Sequence, residues 1–515
     1  MSAALRRALL KAVSDLAALP PLAQRCAGPL LGAVSFGALL AWLILDRRYM
    51  TYGVETDFIW RYIPQALSIQ SFKPFAVPTH PPLYSFLLAL TQPLFGDWWS
   101  AGLALSFVGA MLAVTTSLLL LLRMRGPWAA AGAWLGMAGS APFLIHCASA
   151  GTDAVFLGLF GLLFLLYWRA AATDSPLLWT AGGLTLGAVI LTRGNGLLAG
   201  VLLVLPCLTP SRRKVRNFLL SLGAAALPVL LLGLYGRAEG FSLVPQVLKS
   251  PMGQPSGIRQ WADLLELWAT RPLDAAETFL RNYAWTVRNT LPSLLVPPLG
   301  LLALPGFFLL SRRAGAFILL YAAAHLLQFL AAGAYPESLA RLHLCLVPLM
   351  GACAGMALDW LASPAAAGPR RPLRRALSMA ALLILVSWTL AKGWDSIRIS
   401  RAVLHAQDME LSDLLGVMKT PLPEGCRLMA RKPHAAYYLH CAPLLLPETD
   451  SLVTFERLAR PKGPGPRLFV YFGPEERLSR PGLEPLAWPQ TRVPWLRYAG
   501  SSGYPGAWAI HELLP

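Results

Sequence analysis

Eleven long apolar runs, separated by short basic clusters, dominate this chain. They lie near 28–45, 101–122, 127–146, 154–168, 177–192, 195–210, 217–235, 291–310, 314–333, 342–362 and 376–392. A helix needs about 20 apolar residues to cross a bilayer. In hydrocarbon only a helix or a closed barrel satisfies its own backbone, and runs of this length are helical. Only 14% of the 515 residues are charged, against about 25% in an average soluble protein. With 56% hydrophobic residues, a soluble core of this size would leave too little polar surface to cover it. The sequence therefore reads as a polytopic α-helical membrane protein.

The net charge of +18 falls in patches: Arg6/Arg7/Lys11, Arg123/Arg125, Arg212/Arg213/Lys214/Arg216, Arg312/Arg313 and Arg370/Arg371/Arg374/Arg375. No basic domain stands alone, which argues against nucleic-acid binding. The clusters follow the positive-inside rule if the amino terminus is cytoplasmic. Leu5, Leu9, Val13 and Leu16 recur at helical spacing, so residues 1–26 read as an amphipathic cytoplasmic segment before an uncleaved first span. Eleven spans then place three polar segments outside: the first loop, 46–100, a second large loop, 236–290, and the tail, 393–515. Residues 27–392 form the membrane domain. Short helices are expected over 58–70 and 82–94. Trp261, Trp268, Tyr283 and Trp285 in the second loop suit an interfacial belt.

The tail is of another kind. It reads as a helix over 404–418, strands at Arg427–Ala430, Leu468–Phe472 and Ala507–Glu512, and helical patches near 434–440 and 451–458. This defines a small extramembrane α/β domain. Cys426 and Cys441 either pair in an oxidising compartment or remain buried thiols. His434 and His440 read as packing and surface residues.

Chemistry-bearing residues gather in the segments expected outside. The first loop carries Glu55-Thr56-Asp57. In an extended segment positions i and i+2 share a side, so the two carboxylates could converge on a substrate or a cation. Either could accept a proton as a general base. The bland alternatives are a helix cap for Asp57 and a solvated loop for Glu55. His80, in Thr79-His80-Pro81-Pro82, stands at a helix entrance that favours anions. Asp153 opens the fourth span, where an ionisable residue is costly and points to function, with an N-cap as the alternative. Arg193 and Arg341 border spans and could bind a carboxylate or a phosphate, or else snorkel. No P-loop, G-x-S-x-G elbow or zinc-type spacing is present.

Glu55-Thr56-Asp57 with Tyr62 and Ala66, His80-Pro81-Pro82-Leu83-Tyr84, Thr152-Asp153, Thr192-Arg193-Gly194 and Arg341 occur in that order over about the first 360 residues. In this order they resemble the membrane-embedded C-type (GT-C) glycosyltransferases, above all the bacterial protein O-mannosyltransferase-like and aminoarabinose-transferase-like branch. The tail, with Ala430-Arg431-Lys432-Pro433 and Tyr437-Tyr438, resembles the soluble domain of many such proteins. The resemblance implies sugar transfer at the outer face of a bacterial-type inner membrane. The donor would be a polyprenyl-phosphate sugar, the acceptor a hydroxyl of a lipid, glycan or protein, and the outcome inversion. It places the general base at Asp57 with Glu55 as partner, and the donor phosphate at Arg193, Arg341 and His80. Asp153 falls to the acceptor or a metal. A divalent ion, Mg²⁺ or Mn²⁺, held by Glu55, Asp57 and Asp153 could assist the leaving phosphate, although family members differ in this need. The alternative is a transporter or flippase of a lipid-linked or anionic substrate, which would use the same arginines without a base.

Overall fold

The computed structural model describes residues 21–51, 54–73, 81–209, 211–237, 268–309, 341, 343–362, 371–406, 408–418, 422–447, 449–460, 466–488, 493–502 and 508–514. The amphipathic start, the run 314–333 and most of the second large loop lie outside these residues. The chain divides into two compact units. One comprises residues up to Leu45 and Gln65–Arg401, the other Asp46–Pro64 and Ala402–Pro515.

The first unit is helical. Its helices are α1 (Pro21–Ile44), α2 (Ile63–Gln70, entered from the second unit), α3 (Leu83–Phe95), α4 (Trp98–Arg125), α5 (Pro127–Gly139), α6 (Ala141–Cys147), α7 (Thr152–Thr173) and α8 (Pro176–Thr192). After a 3₁₀ stretch at Gly194–Val204 come α9 (Leu205–Leu208), α10 (Lys214–Arg237), α11 (Pro272–Trp285), α12 (Leu291–Leu294), α13 (Pro297–Phe308), α14 (Leu346–Ala362) and α15 (Arg371–Leu404). Among the described residues four helices are long and apolar enough to cross a membrane, or six if two bent pairs count as single spans. The bends fall between α5 and α6 (73°) and in the segment that leads from Arg288–Leu294 into α13 (103°). Ser140 begins α6 by accepting the Phe143 N–H at 3.3 Å, and prolines open both α6 and α13. The expected span 195–210 is instead mostly 3₁₀ helix.

Many large apolar side chains on these helices point outward, among them Leu30, Leu94, Leu230, Leu304 and Leu383. In water this surface would be a liability; against lipid it is the expected solvent-facing surface. Between helices, small residues allow close approach. A Cβ on Gly158 of α7 would lie 2.5 Å from the Gly109 carbonyl oxygen of α4. Only glycine at 158 therefore lets α7 lie this close to α4, and α7 carries Asp153.

The second unit is a three-layer α/β structure built on a mixed sheet. Its elements are α16 (Asp408–Val417), β1 (Arg427–Ala430), α17 (His434–Tyr438), β2 (Ala442–Leu445), α18 (Leu452–Ala459), β3 (Leu468–Phe472), α19 (Pro474–Ser479), β4 (Leu496–Ser501) and β5 (Ala509–Leu513). The strand order is β2-β1-β3-β5-β4. β1 pairs in parallel with β2 and β3, and β5 runs antiparallel to β3 and β4. Side chains alternate across the sheet. Leu428, Phe469, Tyr471 and Ile510 pack with Leu411, Leu414 and Ala436 on one face. Met429, Val470, Phe472 and Leu513 pack with Phe455, Leu483 and Trp495 on the other. The three central strands β1, β3 and β5 thus each feed two cores. Cys426 and Cys441 form a disulfide across the β1–α17–β2 turn.

The compact units are cut differently from the segments read in the sequence: the second unit resumes at Ala402, within α15, which runs unbroken to Leu404. Residues 46–64 of the first loop group with this α/β unit, on whose core Tyr49 packs.

Candidate active site

In the first unit the charged residues at three helix ends meet. Asp153 stands in the first turn of α7, after the N-cap Gly151, and is 4% exposed. It therefore does not cap the helix. A carboxylate in the first turn is favoured by the helix dipole, yet one so deeply buried needs direct partners. Arg341 supplies its Nε at 2.9 and 2.7 Å from the two carboxylate oxygens. Arg193, in extended backbone where α8 ends, pairs with Oδ1 through an Nη. His146 of α6 places Nδ1 at 3.3 Å from Oδ2. The Arg193 guanidinium also lies 5.5 Å from the centre of the Phe156 ring, one turn along α7. Two guanidinium groups against one carboxylate leave a net charge of +1 before any charge on His146. The arginine side chains are 14% and 18% exposed. The cluster is a partly accessible, positively charged site matched to an anion. A little further along α7, Leu157, Phe160 and Phe164 line an apolar cavity with Phe143 and Cys345.

The second unit contains the first-loop carboxylates, and they do not behave alike. The loop turns into helix from Thr56, so Glu55 and Asp57 diverge rather than sharing a side as an extended segment would give. Glu55 is wholly buried. Its Oε2 accepts Arg47 Nη2 at 2.5 Å and the Thr51 N–H at 2.6 Å. The same Arg47 nitrogen donates to Thr51 Oγ1 at 3.0 Å. Asp57 is one-third exposed, lies 3.3 Å from Arg61 Nε one turn on, and makes no cap hydrogen bond. A π-helical turn at Phe58–Tyr62 follows it, a local form often found at functional sites. Asp57 is thus the accessible carboxylate of the pair and Glu55 the interior one. His80 lies outside the described residues.

These donor sets do not suit a divalent cation. Asp153 is surrounded by two guanidinium groups and an imidazole, and Glu55 is engaged by Arg47 and a backbone N–H. Among the described residues no three His, Cys, Asp or Glu side chains gather as a metal site.

The resemblance grouped Arg193 with Arg341 at the donor phosphate and set Asp153 apart, on the acceptor or metal side; the structure pairs Asp153 with both arginines. Sequence reading also missed Arg47, which meets Glu55 through the irregular loop between them rather than along a helix or a strand.

The fold is shared with solved structures of low sequence identity. The solved structures that share it include ArnT from Cupriavidus metallidurans in the apo state, with a TM-score of 0.55 and 14% identity over 94% of this chain and 98% of that one. ArnT from Cupriavidus metallidurans bound to undecaprenyl phosphate gives a TM-score of 0.54 and 14% identity over 94% and 97%. No protein-family model and no curated protein matches the sequence.

Proposed function

We propose that this chain is an integral-membrane glycosyltransferase that moves a sugar from a polyprenyl-phosphate donor to an acceptor hydroxyl at the outer face of a bacterial inner membrane. The observation that carries this reading is the net-positive Asp153–Arg193–Arg341 cluster, on a fold shared with a protein solved with undecaprenyl phosphate. A lipid phosphate needs charge-assisted donors for its head and apolar surface for its chain. The cluster supplies the first, and the outward apolar side chains of the membrane helices supply the second.

The roles follow from chemistry. The acceptor oxygen attacks the anomeric carbon as the bond from that carbon to the phosphate oxygen breaks. The departing electron pair stays on the polyprenyl phosphate, whose growing charge is met by Arg193 and Arg341. The acceptor proton passes to the Asp57 carboxylate. Asp153 orients the two arginines and keeps them from repelling each other. A single displacement inverts the anomeric centre. Glu55 takes no part in proton transfer on this reading, because its carboxylate is buried against Arg47.

The test is release of free polyprenyl phosphate by the purified protein in lipid, supplied with a panel of polyprenyl-phosphate sugars and membrane extract as acceptor. Wild type should release it and Asp57→Asn should not. Equal release by both would move the base elsewhere. No release from any donor would favour a transporter.

A further inference from the structure

The first-loop segment that bears Asp57 is built into the α/β unit by a chain of specific contacts. The Met50 N–H, on a residue with no exposed surface, donates to the phenol oxygen of Tyr438 at 2.9 Å. The Tyr49 ring meets the Tyr438 ring edge to face, with centroids 5.2 Å apart. The Thr51 hydroxyl donates to the Leu404 carbonyl at 3.1 Å. From there the loop is internally braced. Thr51 N–H and Arg47 both bind Glu55, the Glu55 N–H returns to Thr51 O at 3.1 Å, and Phe58 N–H binds Glu55 O at 3.1 Å. Asp57 stands between this brace and the buried side chains of Phe58, Ile59 and Tyr62.

We propose that Tyr438 is a positioning residue: by accepting the Met50 N–H and packing on Tyr49, it fixes the loop from which Asp57 acts. This rests on the reading that Asp57 takes the acceptor proton. The α/β unit then acts in catalysis by holding the base in register, whatever it does with the acceptor. The physical reason is economical. Met50 is interior, so its N–H needs an acceptor, and removing the phenol oxygen leaves a buried donor unsatisfied. The loop can relieve that only by moving. A displacement of about 1 Å at a reacting group can cost roughly 100-fold in rate. Binding of the donor, which falls to the arginine cluster, would be untouched.

The test uses the full chain in proteoliposomes with a polyprenyl-phosphate sugar and acceptor. Tyr438→Phe keeps the ring and deletes only the acceptor oxygen. Its kcat should fall about tenfold or more, with donor KM changed by less than about twofold. Thr51→Ser, which retains the hydroxyl, should keep most of the rate that Thr51→Val loses. Arg497→Gln, on the edge strand β4, breaks that residue's pair with Glu512 of β5 and serves as the control for general loosening of the domain. Amide exchange of residues 50–57 should rise in Tyr438→Phe and stay at the wild-type level in Arg497→Gln.

Unchanged kcat in Tyr438→Phe, or an equal loss in Arg497→Gln, would overturn the proposal. So would unchanged exchange over 50–57. An inert wild type would instead sink the donor reading and the catalytic role of the clamp, while raised exchange in Tyr438→Phe would still establish the clamp itself.

Discussion

Arg47 and Glu55 form an ion pair in which neither side chain has any solvent exposure, with Nη2 2.5 Å from Oε2. Taking both charges out of water is costly, and their attraction offsets that cost only while both are present. Glu55→Gln should therefore destabilise the α/β unit by about 3–5 kcal/mol, by leaving Arg47 charged and buried. Replacing both partners, Arg47→Met with Glu55→Leu, should recover much of the loss. Thermal unfolding of the purified variants checks this. Asp57→Asn, at a one-third exposed site, should unfold with wild type and lose only activity. That contrast separates a holding carboxylate from a reacting one.

Arg341 meets Asp153 through a single guanidinium nitrogen that faces both carboxylate oxygens. Arg341→Gln should lower the cluster from a net +1 to neutral. A hydrogen bond to a charged group contributes about 1.5–3 kcal/mol, which corresponds to roughly 10- to 100-fold in affinity. Binding of undecaprenyl phosphate, followed by titration of intrinsic fluorescence, should weaken by that factor. Arg341→Lys should recover only part of it, because an ammonium lacks the planar fork. An unchanged affinity would remove Arg341 from the phosphate site.

Sequence pattern reached furthest where local periodicity and burial agree. The run 101–122 became α4 and 154–168 became α7, since apolar length alone decides such helices. Arg427–Ala430 and Leu468–Phe472 are strands within the expected bounds. β2 and β4 were missed. β2 begins Ala442-Pro443, and proline reads as a poor strand former, yet at the sheet edge it costs little. β4 is largely exposed and carries Arg497 and Gly500, so it has no apolar alternation to reveal it. At the site, single residues were legible because charge beside a span is conspicuous. The pairing of Asp153 with the arginines was not, because Asp153, Arg193 and Arg341 are joined only by how α7, the end of α8 and the segment at Arg341 come together. Glu55 was misread for a related reason. An acid in a polar loop looks solvated until the fold supplies Arg47.

Glu476 and His434 give the α/β unit a pH signature of two opposite signs. Burial raises the Glu476 carboxyl to about 7, although it accepts the N–H groups of Arg431 and Gly473. A raised carboxyl means the folded state holds its proton where the unfolded chain has lost it. Its contribution to stability is complete below the ordinary value of 4.5 and is lost as pH rises to about 7. Burial pushes His434 the other way, down to about 3. The folded state then refuses a proton that the unfolded chain accepts, and stability falls as pH drops from 6.5 towards 3. Relative to wild type, Glu476→Gln should gain stability progressively between pH 4.5 and 7, and His434→Gln should gain it as pH falls below 6.5. Melting temperatures across pH 3–8 check both slopes.

The Cys426–Cys441 disulfide closes a loop with a sequence separation of 15 residues that contains α17 and hence Tyr438. A cross-link over a loop of that size stabilises by about 3 kcal/mol in the chain-entropy account. Removing it through Cys426→Ser with Cys441→Ser should lower the stability of the α/β unit by about 2–4 kcal/mol. The effect should not stop at the turn. Tyr438 accepts the Met50 N–H, so a loosened α17 should also release the first loop. Amide exchange over residues 50–57 should rise in the double variant, and kcat should fall more than donor KM changes. If stability drops while loop exchange and kcat stay at wild-type values, the disulfide serves the domain alone and the loop is held by its own Arg47–Glu55 brace.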